Sequence, residues 1–291
     1  MTKSKNILMH LFALAAVFLW ALSYVMTRIA IAHFTPSALA FLRYLTAAAA
    51  MLVFAFIKKL QMPQVRDIPL FFLGGYFGFA GYVYFLNEGM QTLPAAAGSF
   101  IISSSPVMTA LWARLLLGEK LGPLGWFSVL FAFAGVGVIT YFNGGFAFTS
   151  GVIWVFFAAV HSSAYMVSLR KLLARYSPLE VTAYCIISAC ILLSVFAAGA
   201  FPQLTEAPAV AVFAVVFLGV FSGALGYLFW SYALSKAEKT TQVTNYMFVT
   251  PLITTFLGFV FIQEVPHFAV YIGGIFILTG VMLANKRGKE K

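Results

Sequence analysis

An internal repeat constrains this fold more tightly than any other feature of the sequence. Gly81-Tyr82, Pro106 and Glu119 recur as Gly226-Tyr227, Pro251 and Glu264, each 145 residues further on. The same offset pairs Trp126 with Tyr271, Phe131 with Phe276 and Gly135 with Gly280. Upstream the offset narrows to 143 for Ala15-Ala16-Val17 against Ala158-Ala159-Val160, and to 142 for Pro36 against Pro178, as a few loop insertions or deletions would produce. A chain that doubles its segments in this way builds its core from two related halves, residues 1–147 and 148–291.

Composition sets the solvent those halves meet. Apolar residues make up 62% of the chain and charged residues 9%, where an average soluble domain carries roughly 25% charge. Apolar runs of about twenty residues, each long enough to cross a hydrocarbon layer about 30 Å thick, recur along the whole length. The expected spans are 7–29, 36–57, 68–91, 94–117, 123–143, 150–170, 178–200, 208–235, 240–262 and 266–285. Pro36, Pro94, Pro123, Pro178 and Pro266 fall at their starts, where a missing amide hydrogen costs nothing. The expected fold is therefore an all-α polytopic membrane protein of ten transmembrane helices.

Five helices per half is an odd number, so the second half must enter the bilayer from the opposite side and the repeats must be inverted. The basic residues give an independent orientation. With a cytoplasmic N-terminus, 16 of the 18 Lys and Arg residues fall in inner segments, leaving only Arg28 outside and Arg43 within a helix. The positive-inside rule then places both termini in the cytoplasm. The net charge of +10 is divided among short loops rather than gathered on one face, which excludes a nucleic-acid surface. The first apolar stretch is long and runs into Arg28 without a small-residue cleavage site, so it reads as a span and not as a cleaved signal.

Catalytic chemistry has no foothold. Cys185 and Cys190 lie five positions apart on one helix and point about 140° away from each other, so they form no disulfide. His10, His33, His161 and His267 are scattered. The sequence carries no metal-ligand cluster, no phosphate-binding glycine loop and no nucleophile with its base, so no catalytic residue, metal or cofactor is expected.

Several short motifs carry a resemblance. Phe18-Leu19-Trp20-Ala21-Leu22-Ser23-Tyr24 in the first helix, Phe41-Leu42-Arg43-Tyr44 in the second, and Leu117-Gly118-Glu119-Lys120 before Gly135-Val136-Gly137-Val138 resemble the EamA-type drug/metabolite transporter superfamily over nearly the whole chain. The resemblance implies an inner-membrane carrier, commonly an exporter of amino acids or other small metabolites, with a cavity lined by helices 1, 3, 4, 6, 8 and 9. The chain departs from the pattern at Gln263-Glu264, which lacks the glycine preceding Glu119, and at Ser162-Ser163, where a tryptophan is expected.

Polar and amphipathic side chains inside a membrane helix face the protein interior or a water-filled path, which selects the candidate cavity residues. They are Trp20 and Tyr24 one turn apart on the first helix; Tyr82, with Gly81, Tyr84 and Glu88 on the adjoining face, on the third; and Ser103 and Ser104 on the fourth. The second half adds His161 and Tyr165, Tyr227 and Trp230, and Gln242, Asn245 and Tyr246. Tyr82 and Tyr227, as repeat equivalents on opposite sides of the midplane, suit two gates, or else pack as ordinary interfacial rings. Pro106 and Pro251 each remove a hydrogen bond to the carbonyl four residues back, at Ile102 and Met247, and serve either as hinges or as static bends. Arg43 and Glu88 are the strongest intramembrane charges. They pair with each other, or Arg43 grips a substrate carboxylate while Glu88 gates or binds a proton. His161 either couples proton flux or hydrogen-bonds a neighbouring helix. Glu119 and Glu264, at the helix 4–5 and 9–10 turns, read as caps. Gly74-Gly75, Gly135, Gly137, Gly273-Gly274 and Gly280 read as close-packing sites, with helices 5 and 10 as scaffold.

The expected function is a secondary transporter that moves a small metabolite by alternating access, outward, with an aromatic cavity suited to amino acids bearing hydrophobic or aromatic side chains. A channel-like facilitator and an organic-cation or multidrug exporter are the alternatives, and an intramembrane enzyme has no supporting residues. The partners are the small-molecule substrate and the bilayer, with no nucleic acid; the oligomeric state, monomer or homodimer, stays open.

Overall fold

A computed structural model describes residues 2–117, 122–144, 150–236, 243 and 245–287, excluding the side chains at 2–6, 113, 116–117, 140, 143–144, 166–171, 245 and 284–287. Glu119, Gln242 and the side chain of Asn245 thus lie outside the described residues. All regular structure within them is helical. The helices are α1 (Thr2–Ile31), α2 (Pro36–Lys58), α3 (Val65–Met90), α4 (residues 95–117), α5 (Pro123–Gly144), α6 (Ser150–Leu173), α7 (Pro178–Glu206), α8 (Ala209–Lys236), α9 (residues 245–262) and α10 (Phe268–Arg287). Six stretches, Ile7–Ile31, Pro36–Lys58, Val65–Met90, Ala95–Trp112, Pro178–Glu206 and Ala209–Lys236, are long and apolar enough to cross a membrane. Shorter apolar helices lie at Pro123–Ile139, Ser150–Tyr165, Tyr246–Ile262 and Phe268–Leu283. The chain is an all-helical, polytopic membrane protein.

Local chemistry sets the helix ends. Pro36 and Pro178 stand in the first turns of α2 and α7, behind Thr35, which accepts the Ala38 N–H, and Ser177, which forms a capping box with Glu180. Lys59 and Gln263 close α2 and α9 in the left-handed conformation, at φ 49° and 53°.

The helices loosen at equivalent places. α3 opens into a π segment at Tyr76–Ala80 and α8 at Phe217–Leu225, ending immediately before Gly81 and Gly226. Glycine triplets underlie both: Gly74, Gly78 and Gly81 recur as Gly219, Gly223 and Gly226 at the same 145-residue offset. Each triplet weakens its helix and admits a neighbour. A Cβ at Gly78 would stand 2.6 Å from the Tyr165 ring, and one at Gly226 2.8 Å from Trp20 Nε1. α4 is interrupted between Ala95–Ile102 and Ser105–Leu117, and α9 begins as the 3-10 turn Asn245–Val249 before turning α-helical at Thr250. Pro106 and Pro251 thus stand in the first turns of the segments that follow these irregularities. The Ile102 carbonyl freed by Pro106 accepts the Ser105 hydroxyl at 2.7 Å.

α5 and α10 pack most extensively, and their contact is reciprocal. A Cβ at Gly135 would meet Gly273 O and Ile277, and one at Gly280 would meet Ser128 O at 2.6 Å and Ala132 N at 2.8 Å. Ser128 and Ala132 are the positions 145 residues before Gly273 and Ile277. Phe131 and Phe276 stack between them, centroids 5.6 Å apart. Each helix presents the same patch to the other, the relation of a local two-fold axis. Gly137 does not share the packing expected of it: nothing lies within 4 Å of its Cβ position, which points away from α10. Elsewhere, α1 lies against α8 and α9, α6 against α3 and α4, and α2 against α7.

Candidate functional site

The glycine triplets let α3 and α8 approach α6, α1 and α2 closely enough for aromatic side chains from all five to interlock. Phe79 on α3 is the hub, with ring centroids 5.8 Å from Tyr44, 5.3 Å from Tyr165 and 5.5 Å from Tyr227. Trp20 on α1 lies 5.2 Å from Tyr227 and 5.1 Å from Trp230 on α8. Its indole N–H donates at 3.2 Å to the carbonyl of Ser222, within the π segment. Tyr24 and Tyr82 face each other at the edge of this group. The structure therefore gathers Trp20, Tyr24, Tyr82, Tyr165, Tyr227 and Trp230 at one seam between residues of both halves.

Arg43 lies at this seam. The residue is 7% exposed, its Cζ stands 5.8 Å from the Tyr44 centroid, and it lies near Tyr24, Tyr82 and Tyr227. Among the described residues its Nε and Nη1 donate to no acceptor. The ion pair expected between Arg43 and Glu88 does not form. Glu88 accepts the Gln91 side-chain amide at 2.8 Å near the end of α3, and its neighbour Tyr84 stacks on Phe196 of α7, so that face turns from the seam. The other described carboxylates are also engaged elsewhere or exposed. Asp67 holds Arg175 and Tyr176 at 2.6 and 2.9 Å, Glu180 caps α7, Glu264 binds Arg28, and Glu206 is at the surface.

The remaining predicted residues lie off the aromatic group. Ser103 and Ser104 donate to carbonyls of their own helix, Ser99 O and Ile101 O, at 2.8 and 2.7 Å. Tyr246 meets His10 Nδ1 at 2.6 Å. His161 bonds its own helix, Nδ1–H to Phe157 O at 2.9 Å, inside a sleeve formed by Tyr76, Phe77 and Phe85. Glu264 does cap a helix, but one in the other half: its Oε2 accepts the Ala95 N–H of α4 at 2.8 Å. Its Oε1 takes Arg28 Nε at 2.7 Å, while Arg28 Nη1 donates to Met90 O at 2.6 Å. One clasp thus ties α1, the end of α3, the start of α4 and the α9–α10 turn. Sequence reading missed Phe79, the π segments and this clasp. The repeated glycine triplets signalled the π segments, and the expected placement of Arg28 and Glu264 at one face of the bilayer signalled the clasp.

Comparison with known proteins gives consistent matches. The EamA-like transporter family matches the chain twice, over residues 7–141 and 149–286. The "Uncharacterized transporter YdfC" of Bacillus subtilis is 28% identical over 276 residues, covering 93% of this chain and 90% of its own. A "Probable terminal-alkyne amino-acid exporter" of Streptantibioticus cattleyicolor is 28% identical over 268 residues, covering 92% and 90%. A solved crystal structure superposes with a TM-score of 0.63 over 97% of this chain and 98% of its own at 21% identity, a likeness of fold alone.

Proposed function

Because this chain belongs to the EamA-like transporter family, and so is a membrane transporter rather than an enzyme, we propose that it is a secondary transporter. It exports a small metabolite across the inner membrane by alternating access, and the substrate sits at the aromatic seam. In this reading ten helices form two inverted five-helix repeats, residues 1–147 and 148–291, with both termini cytoplasmic. Two family matches falling one on each side of that boundary support the division. The reciprocal Gly135 and Gly280 contacts support a two-fold relation between the halves.

One observation carries the assignment of the site. The paired π segments, irregularities at repeat-equivalent places, belong to α3 and α8, whose Tyr82 and Tyr227 join Trp20 at the seam. π segments recur at functional sites, and discontinuous helices near the bilayer centre are where transporters bind their cargo. Tyr82 and Tyr227 are the gates toward the two mouths, and Pro106 and Pro251 the hinges. A relative named as an amino-acid exporter, together with the aromatic lining, favours amino acids with apolar or aromatic side chains.

Counterflow into proteoliposomes, screened over amino acids, sugars, organic cations and choline-like compounds, tests the reading. A hit whose uptake shows trans-stimulation by internal substrate supports a carrier; uptake at channel rates without it supports a facilitator instead. Trp20→Ala and Tyr227→Ala are expected to lower the counterflow rate by about tenfold, the loss of two or more ring contacts each, with expression unchanged. Wild-type rates in both would remove the seam as the substrate site.

A further inference from the structure

The geometry points to Arg43 as the seat of a carboxylate on the transported molecule, which makes the cargo a small carboxylate-bearing compound, zwitterionic or anionic, and not an organic cation. This rests on the seam being the substrate site. A guanidinium held 7% exposed among apolar rings is a costly feature of a membrane helix unless an anion completes it. The described carboxylates do not supply that anion, since Asp67, Glu88, Glu180 and Glu264 bond elsewhere and Glu206 is exposed. Two of the guanidinium nitrogens, Nε and Nη1, have hydrogens without acceptors among the described residues. Nε shares one edge of the planar fork with Nη2 and Nη1 shares the other, so each unpartnered nitrogen opens an edge whose spacing matches both oxygens of a carboxylate.

The surroundings suit the rest of such a molecule. Tyr24, Tyr82 and Tyr227, near Arg43 at the seam, come from α1, α3 and α8 and offer further O–H donors to an anion. Trp20 and Phe79 beside them supply apolar faces for a side chain. An aromatic lining alone would equally suit a quaternary ammonium. A fixed positive charge in the same dry space repels a cargo whose only charge is positive and accepts one with an ammonium only if a carboxylate comes with it.

The test uses the full chain in proteoliposomes with matched probes: L-phenylalanine and L-leucine, each against its decarboxylated amine and its amide, with choline as a further cation. The wild-type protein is expected to carry the carboxylates and to leave the amines, amides and choline at least about tenfold slower, the loss of a charge-assisted pair. Arg43→Lys, which keeps the charge and loses the fork, is expected to slow the carboxylates by about tenfold with its melting temperature held. Arg43→Met is expected to abolish their transport. The wild-type comparison stands whether or not either variant folds. Amines or choline moving as fast as the parent acids, or Arg43→Met carrying acids at the wild-type rate, overturns the carboxylate seat and leaves the transporter reading intact. Movement of no compound in the wider screen overturns both.

Discussion

Arg28→Ala is expected to loosen the clasp at the α9–α10 turn, the end that the positive-inside reading would place outside. The Arg28 guanidinium and the Glu264 carboxylate are 28% and 19% exposed and 2.7 Å apart, and each also holds backbone of another helix, Met90 O and Ala95 N. Hydrogen bonds to charged groups contribute about 1.5–3 kcal/mol each. Losing the arginine removes three such bonds, to Glu264, Met90 O and Gln91 O, and leaves Glu264 half-satisfied. Discounted for this partial exposure, the closed state should weaken by about 2–3 kcal/mol, a shift of roughly thirty- to a hundred-and-fiftyfold in the closed-to-open ratio. The readout is the labelling rate of Thr27→Cys by a membrane-impermeant maleimide, in a background with Cys185 and Cys190 replaced by Ala. Thr27 is 1% exposed and adjoins the clasp, so it is shielded while the clasp holds. An unchanged labelling rate would show that the clasp does not control this end.

The second large effect lies at the α5–α10 contact. Gly135→Val places a branched side chain against the Gly273 carbonyl and the Ile277 backbone, neither of which can swing aside as the tip of a flexible side chain would. The helices must part, at a cost of about 3 kcal/mol or more. Gly137→Val, two residues along the same helix with open space at its Cβ position, should change stability by no more than about 0.5 kcal/mol. Thermal unfolding of the two variants in detergent makes the comparison. Equal melting temperatures would mean that the close approach of α5 and α10 is not what holds these helices together.

The contrast between Gly135 and Gly137 marks where sequence reading reached and where it stopped. The repeat offset singled out Gly135 and Gly280 and so found a contact that is reciprocal in space, whereas Gly137 was included by proximity alone and faces away. Helix starts were legible because proline and cap residues act locally: Pro36 behind Thr35 and Pro178 behind Ser177 need only their own first turns. The interruptions before Pro106 and Pro251 have the same local cause. The π segments were not legible, because hydrophobicity carries no mark of helix pitch; only the triplets at Gly74, Gly78, Gly81 and their equivalents hinted at them.

Charge partners were the least legible. Arg43 and Glu88 share a membrane depth, and depth alone suggested a pair. Which way each side chain turns is set by the rotation of α2 and α3 about their axes, and that rotation is fixed by packing, as in the Phe79 ring against Tyr44 and Tyr165. With Glu88 turned toward Gln91, Arg43 is left facing the rings. Six of the aromatic candidates do come together, because they lie on helices that pack at the seam. Ser103, Ser104 and Tyr246 satisfy their hydroxyls locally or at the far end of α1, outcomes that a list of polar residues does not distinguish from cavity lining.

The account rests on two halves inserted in opposite senses around one shared site, and the placement of Lys59 and Thr205 tests this most directly. Lys59, exposed at the end of α2, and Thr205, exposed at the end of α7, close the same helix in the two halves. Single cysteines at these positions, in a background without Cys185 and Cys190, are probed in intact cells with an impermeant maleimide. Thr205→Cys is expected to label at once and Lys59→Cys only after the membrane is permeabilised; labelling of both from the same side would contradict the inverted arrangement.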